Sequence, residues 1–165
     1  MKLRSKGEFY MTSGDSLVEL LPHRPPMRLV EEIVELTPGE FARGRRVARL
    51  DDWYFQGHFP GDPVVPAIVL VELLAQTGGI AACSGVDARS PALRVAAFAA
   101  FKFPGAARPD AVLEAAARVV GRMGGMIKIE GDVTANGMLV ATGGVILAEV
   151  GESAGIRQHA PGSPG

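Results

Sequence analysis

Two residues with acid–base side chains, His58 and Glu72, lie on either side of the point where a proline-rich segment meets a long apolar one. His58 belongs to the run Gly57-His58-Phe59-Pro60, and Glu72 follows Pro66 in the apolar segment. A helix that begins at Pro66 would place Glu72 roughly 9 Å along its axis. The free N–H groups and positive dipole end of that helix suit a carbonyl oxygen that gains negative charge. The two side chains could then move a proton from a carbon next to the carbonyl.

Each candidate residue also has an ordinary structural explanation. A single histidine in a loop is more often a surface or hydrogen-bonded residue than a catalytic base. A glutamate in an apolar helix is costly to bury without a partner, unless it lies at a helix edge that reaches solvent. His23 is interpreted as structural because it precedes a proline-rich entry to a strand. Gln76, one turn after Glu72, either orients a polar group or hydrogen-bonds the sheet.

The segment between the two candidates is stiff. Pro60, Pro63 and Pro66 follow one another at three-residue intervals, which excludes a helix over residues 51–66 and forces an extended path. Pro66 suits the first turn of the next helix, because its missing N–H would have no helical partner there. We therefore predict a helix from Ala67 to about Cys83, ended by Gly85.

The rest of the chain reads mainly as strands, with a short helix at 17–21 capped by Asp15 or Ser16. Strands are predicted at 29–36, 41–50, 93–102, 126–133 and 139–148, with Asn136-Gly137 as a hairpin turn. Segment 111–120 stays ambiguous because Leu-Glu-Ala-Ala-Ala has high helix propensity. A single apolar helix must be covered all round, and an antiparallel sheet curled around it does so. The order predicts an α+β fold, with one domain over residues 1–150 and a disordered Gly-, Ser- and Pro-rich tail at 151–165.

Composition narrows the classes of function. The chain has 165 residues and a formal net charge of −1, so no overall basic field favours nucleic acid or an anionic membrane surface. One cysteine and three dispersed histidines argue against a disulfide, a zinc site or an iron–sulfur site. The first fifteen residues lack a continuous apolar core, so we expect no secretory signal and a cytoplasmic protein. Segment 64–86 is nearly long enough for a membrane span, but Glu72, Gln76 and three glycines favour a buried helix.

Four segments together resemble the 3-hydroxyacyl-acyl-carrier-protein dehydratases of the FabZ type. They are Leu-Leu-Pro-His-Arg at 20–24, Phe55-Gln56-Gly57-His58-Phe59-Pro60-Gly61, Pro63 with Pro66, and Glu72-Leu73-Leu74-Ala75-Gln76. The similarity continues more weakly to about Val150. The resemblance implies a hot-dog fold, in which an antiparallel sheet wraps a long helix. It also implies a homodimer in which the histidine of one subunit faces the glutamate of the other, and three such dimers in many relatives.

The same resemblance implies roles for individual residues. His58 would remove the C2 proton of the substrate, and Glu72 would assist the loss of the C3 hydroxyl as water. Phe59, Pro60, Ala67 and Gln76 would contact the substrate. The substrate would arrive on the phosphopantetheine arm of acyl carrier protein, with no metal or nucleotide cofactor. A related branch that also isomerises the double bond carries aspartate in place of Glu72, so the glutamate favours simple dehydration.

The chain departs from the family pattern at several positions. Ala67 stands where the family usually has glycine, Pro25 replaces a tyrosine-like residue, and the family's Pro-Gly-Asp turn becomes Ala-Arg-Pro-Asp at 107–110. Two alternatives therefore stay open, a hot-dog acyl thioesterase and a non-catalytic module that binds acyl chains or carrier protein. Phenylalanines 55, 59, 98, 101 and 103 are interpreted first as core residues and second as the lining of an acyl tunnel. Acyl chain length and the choice between fatty-acid synthesis and a specialised pathway stay open as well.

Overall fold

The computed structural model describes residues 17–84 and 92–150, which contain one antiparallel sheet of six strands, one long helix and a short 3-10 helix at Trp53–Phe55. The 3-10 helix corrects the prediction of no helix over residues 51–66, because it lies before the first of the three prolines. The elements are β1 (Glu32–Thr37), β2 (Phe41–Val47), α1 (Ala67–Cys83), β3 (Ala92–Lys102), β4 (Val112–Met123), β5 (Met126–Ala135) and β6 (Met138–Val150). The strand order is β1-β2-β4-β5-β6-β3, so β3 lies at one edge. The helix packs against the inner face of this sheet, and the α+β hot-dog fold is confirmed. The predicted tail at 151–165 lies outside the described residues, as do Asp15, Ser16 and Gly85.

The helix is held tightly because its apolar residues meet the sheet on several sides. It begins after Pro66 and ends at Cys83, as the sequence predicted. Leu73, Leu74 and Ile80 are fully buried. A Cβ added at Gly78 would lie 2.7 Å from the side chain of Ile129, so this glycine permits the close approach of α1 to β5.

The ambiguous segment at 111–120 is strand β4. Leu113, Ala115 and Ala117 are fully buried and alternate with residues that face away from the helix. Burial of this period-two face against α1 therefore outweighs the helix propensity of the alanines. The hairpin at Asn136-Gly137 is confirmed, since both residues have positive φ (49° and 83°), as a two-residue turn between β5 and β6 requires.

The predicted boundaries at 29–36 and 17–21 were wrong. Strand β1 begins only at Glu32, because the N–H groups of Leu29 and Val30 point to Oε1 of Gln76 (2.8 and 3.4 Å) instead of a neighbouring strand. The predicted helix at 17–21 is represented, within the described residues, by a single turn, in which Leu21 donates to the carbonyl of Val18.

An ion pair between the buried Arg46 and the part-buried Asp52 fixes the chain where β2 ends, three residues earlier than predicted. Arg46 is 5% exposed, and its Nη2 lies 2.7 Å from Oδ2 of Asp52. The same oxygen accepts hydrogen bonds from the hydroxyl of Tyr54 (2.6 Å) and the backbone N–H of Arg49 (2.9 Å). Burial raises the pKa of Tyr54 above its usual range, so its hydroxyl stays a donor. These contacts tie the start of the proline-rich segment to the sheet.

Candidate active site

A tight turn supports the segment that carries His58. Phe59 and Asp62 each donate a backbone hydrogen bond to the carbonyl of the other (3.2 and 3.0 Å). Pro60 and Gly61 form the corner between them, and Gly61 has a φ of +77°, a conformation that favours glycine. Asp62 also pairs with Arg108 from the loop before β4. The turn is therefore anchored on both sides.

The ring of His58 has a defined orientation in this segment. Its Nδ1 lies 2.8 Å from the carbonyl oxygen of Val64, and the backbone N–H of Val64 donates to the carbonyl of His58 (3.0 Å). A carbonyl can only accept, so Nδ1 carries the hydrogen and Nε2 keeps its lone pair when the ring is neutral. The ring of Phe59, 55% exposed, stacks on the imidazole with centroids 4.1 Å apart. His58 thus presents a basic nitrogen.

The carboxyl group of Glu72 is held by its neighbour one helical turn later. Nε2 of Gln76 donates to Oε1 of Glu72 (2.8 Å) and to the carbonyl of Met27 (2.7 Å). Gln76 is 2% exposed, and its own Oε1 accepts from the backbone N–H of Leu29. Gln76 therefore orients the carboxyl group of Glu72, the first of the two possibilities left open, and its other hydrogen bonds reach the segment before β1 and not a strand of the sheet. Whether it also contacts substrate stays a prediction.

A second residue reaches the same carboxyl group. Nε2 of His23 lies 3.3 Å from Oε1 of Glu72, and the two side chains keep 31% and 27% of their exposure. Sequence reasoning missed this contact, because nothing in the spacing joins two residues 49 positions apart. The available signal was the requirement of a half-buried glutamate for polar partners.

An apolar cavity of about 440 Å³ opens beside Glu72. Its walls include Leu29, Trp53, Ala67, Phe98, Phe101 and Phe103. Glu72 is the only charged residue among the described residues that line it. Ala67 is exposed, begins α1 and is not among the described residues with positive φ, so its N–H lies in helical geometry at the start of the helix. The cavity thus joins an apolar wall, a carboxyl group and a helix N-terminus.

A bulge in β3 builds the aromatic wall of this cavity. Between the pairs Ala99–Gly144 and Lys102–Thr142, two residues of β3 oppose the single residue Gly143 of β6. One of the two, Ala100, has a φ of 48°. The extra residue reverses the side-chain alternation, so that Phe101 faces inward and packs over Gly143.

Three of the five phenylalanines meet in the wall. The rings of Phe98 and Phe101 have centroids 6.3 Å apart, and those of Phe101 and Phe103 are stacked at 6.0 Å. All three line the cavity beside Glu72, whereas Phe55 is a buried core residue. The aromatic side chains therefore form a wall suited to an apolar ligand.

Two cavities border Glu72 within one chain. Glu72 lines the apolar cavity and a second cavity of about 230 Å³, which His23, Gln76 and Arg94 also line. His58 lines neither of the two. Ala67 and Gln76 lie beside Glu72, while Phe59 and Pro60 lie beside His58. The candidate site is thus divided into two halves.

No group of three or more histidine, cysteine, aspartate or glutamate side chains in residues 17–84 and 92–150 is arranged to hold a metal ion. In the same ranges, none of the helices has the length and apolar character needed to cross a membrane.

The chain is similar in sequence to known proteins over most of its length. A family model described as a FabA-like domain matches residues 21–144. The chain is 35% identical to a protein named 3-hydroxyacyl-[acyl-carrier-protein] dehydratase FabZ from Roseiflexus sp. (strain RS-1), over 84% of this chain and 96% of that protein. A second protein of that name, from Caldicellulosiruptor saccharolyticus, is 32% identical over 81% of this chain and 95% of its own length.

A solved structure shares the fold at lower identity. The dehydratase heterocomplex ApeI:P from Xenorhabdus doucetiae superposes with a TM-score of 0.71 and 17% identity, covering 82% of this chain and 91% of that one. At this identity the likeness concerns the fold. The sequence relatives, rather than the structural ones, indicate the family.

Proposed function

The chain belongs to the FabA-like family and is of the FabZ type, and on that premise we propose that it dehydrates (3R)-3-hydroxyacyl-acyl-carrier-protein to the trans-2-enoyl product. The observation that carries the proposal is the carboxyl group of Glu72 in the wall of an apolar cavity, fixed through one oxygen by Gln76. Such a wall accepts an acyl chain, and the carboxyl group is placed to act on a hydroxyl near its thioester end.

His58 is the base of the proposed reaction. Nε2 takes the proton from C2, and the electrons of that C–H bond form the C2–C3 double bond. Support comes from the hydrogen bond between Nδ1 and Val64, which leaves Nε2 unprotonated when the ring is neutral. The stacked ring of Phe59 limits rotation of the imidazole. The base is therefore held in one orientation.

Glu72 is the acid of the same step. Its proton passes to the C3 hydroxyl, the C3–O bond breaks, and water leaves. The elimination leaves His58 protonated and Glu72 ionised. A net transfer of one proton from His58 to Glu72 then restores the enzyme. A glutamate rather than an aspartate at this position supports dehydration without isomerisation.

The start of α1 stabilises the charge that develops on the thioester carbonyl. Ala67, the first residue of α1, lines the cavity roughly 7.5 Å along the helix axis from Glu72, so the positive end of the helix dipole lies at the cavity wall. Backbone donors aimed at a developing oxyanion are a large contribution to such reactions. Phe59 and Pro60 lie beside His58 and line neither cavity next to Glu72, so in this proposal they reach the entrance from a second copy of the chain.

A second copy of the chain completes the site. Strand β3 is an edge strand, and its Val95 and Phe98 are exposed (38% and 64%). Unpaired backbone groups at such an edge favour pairing with another strand. Pairing of β3 with β3 of a second copy would cover the aromatic wall and bring the second copy's His58 to the cavity of the first. Each dimer then has two shared sites, and a trimer of dimers is the proposed higher assembly.

Acyl carrier protein delivers the substrate on its phosphopantetheine arm, in the cytoplasm. The proposal assigns the whole of residues 1–150 to this single dehydratase domain, without a metal or a nucleotide.

A turnover assay with 3-hydroxyacyl-acyl-carrier-protein tests the function. Enoyl thioester absorbance and free thiol are followed together, with His58→Ala as the control. We expect enoyl product that disappears in the variant. Thiol release without enoyl product would favour the thioesterase, and neither signal across several chain lengths would favour the binding module.

A further inference from the structure

We propose that His23 is a positioning residue, which with Gln76 occupies Oε1 of Glu72 and thereby places the acidic proton on Oε2. The inference rests on the proposed function, because it concerns the acid of that reaction. It assigns a role to the second polar contact of the carboxyl group, 3.3 Å from His23 Nε2 to Oε1.

The hydrogen bonds of Gln76 fix which atom donates to Glu72. Oε1 of Gln76 accepts from the backbone N–H of Leu29, and its Nε2 donates to the carbonyl of Met27. Neither contact allows the amide to be reversed, since an N–H cannot accept and a carbonyl cannot donate. Nε2 of Gln76 therefore donates to Oε1 of Glu72. That oxygen must be an acceptor whether Glu72 is ionised or protonated.

The burial of one ring nitrogen of His23, Nδ1, fixes the role of the other. Nδ1 is buried and has no hydrogen-bond partner among the described residues. A hydrogen on Nδ1 alone would leave a buried donor unsatisfied and would turn the lone pair of Nε2 toward the acceptor Oε1, which is repulsive. A hydrogen on Nε2 removes both penalties. His23 therefore presents an N–H to Oε1.

Two donors at one oxygen make the carboxyl group asymmetric. Oε1 interacts with Gln76 and His23, whereas Oε2 receives no hydrogen bond from any described residue. When Glu72 is protonated, the proton must then lie on Oε2, the oxygen that remains available to a substrate hydroxyl. Without His23, one donor remains and the group can tilt toward the second cavity, which His23 otherwise borders. A misplaced carboxyl group of Glu72 slows proton transfer but leaves the affinity for the acyl chain unchanged.

The ring tautomer tests the contact in the wild-type protein. Long-range proton–nitrogen correlation spectra of ¹⁵N-labelled protein report which nitrogen of each histidine carries a hydrogen. The chain has three histidines, and His23→Gln identifies the signals of His23 by their loss. We expect a hydrogen on Nε2 of His23. A ring with a hydrogen on Nδ1 alone would overturn the inference.

Turnover of a matched pair of variants tests the role. His23→Leu fills the space without a donor, and His23→Gln keeps an N–H at a similar reach but cannot be protonated. We expect His23→Leu to lower kcat on the order of 10- to 100-fold with KM little changed, and His23→Gln to restore most of it. Melting temperatures are measured alongside.

Each outcome decides between the alternatives. Wild-type kcat in His23→Leu, or equal losses in both variants, would overturn the positioning role. If His23→Leu does not fold, kcat of His23→Gln and the tautomer of the His23 ring still test the positioning role. If the wild-type protein forms no enoyl product, the proposed function fails instead, and the tautomer alone judges the contact between His23 and Glu72.

Discussion

Nδ1 of His58 donates a hydrogen bond to the carbonyl oxygen of Val64 at 2.8 Å, and Nε2 is thereby the nitrogen available as a base. We expect His58→Ala to lose enoyl formation by about 10²- to 10⁴-fold in kcat, because the base is removed. Steady-state turnover with a 3-hydroxyacyl thioester on carrier protein measures this loss.

His58→Asn is the matched control for that prediction. The amide of asparagine can still donate to Val64 but offers no basic nitrogen. We expect it to be as inactive as His58→Ala and closer to wild type in melting temperature. Full turnover in either variant would contradict the role of His58.

The contact between Gln76 and Glu72 predicts a loss of turnover when Glu72 is changed and a loss of stability when Gln76 is changed. Glu72→Gln keeps the shape of the side chain and loses the acid, so turnover should fall about 10²-fold or more with little change in stability. Gln76→Leu leaves the buried N–H of Leu29 unpaired and removes the partner of the part-buried carbonyl of Met27. Each lost partner costs about 1–3 kcal/mol, which urea unfolding would detect. Equal stability of the two variants would contradict the structural role of Gln76.

Sequence patterns were sufficient for the elements whose local signals agree. Pro66 and the apolar run after it identified α1, and Asn136-Gly137 identified the hairpin between β5 and β6. They failed where a distant side chain replaces a strand partner, as Gln76 does for Leu29 at the start of β1. The boundaries of a strand depend on such long-range bonds, which periodicity does not report.

The sequence predicted the residues proposed for acid–base chemistry, but not the contacts around them. The residue types at 58 and 72 and the helix between them indicated acid–base chemistry. The contact of His23 with Glu72 and the bulge at Ala100 were not predicted, because both depend on tertiary register. The sequence Phe-Ala-Ala-Phe at 98–101 does not indicate that its two aromatic rings lie on the same face of the sheet.

The bulge in β3 should control which acyl chains fit. Phe101 lies inward only because Ala100 adopts a positive φ, which glycine accepts and a β-branched residue resists. We expect Ala100→Gly to match the wild type. Ala100→Val should lower the melting temperature and alter the dependence of kcat/KM on chain length.

Phe101→Ala tests the wall itself. Removing the ring enlarges the cavity, so kcat/KM for long acyl chains should rise relative to short ones. Val120→Ala, an exposed residue of β4 outside this cavity, is the control. An unchanged chain-length profile in Phe101→Ala would contradict the assignment of this wall.

The pair of the buried Arg46 and the part-buried Asp52 predicts a loss of stability when the carboxylate is removed. Asp52→Ala leaves the guanidinium, 5% exposed, without its 2.7 Å partner and removes the acceptor of Tyr54. We expect a loss of about 3–5 kcal/mol in the free energy of unfolding. Tyr54→Phe removes one hydrogen bond and should cost about 1 kcal/mol. Similar losses in the two variants would show that Arg46 does not depend on Asp52.

Ala67 allows a backbone donor to be removed without breaking the helix. Proline is favoured at the first helical position, and the preceding Pro66 already has the extended conformation (φ −59°, ψ 142°) that a following proline requires. Ala67→Pro should therefore fold normally, with the N–H at this position replaced by the carbon atoms of the proline ring. If that N–H stabilises the thioester oxyanion, kcat should fall about 10²- to 10³-fold.

Ala67→Gly is the partner of that experiment, since it keeps the N–H and removes only the methyl group. Because Ala67 lies in helical geometry, we expect turnover close to that of the wild type. A large gain in Ala67→Gly would show instead that the methyl group obstructs the substrate. Wild-type kcat in a folded Ala67→Pro would exclude this N–H from the reaction, because the helix dipole would be unchanged and the donor would be missing.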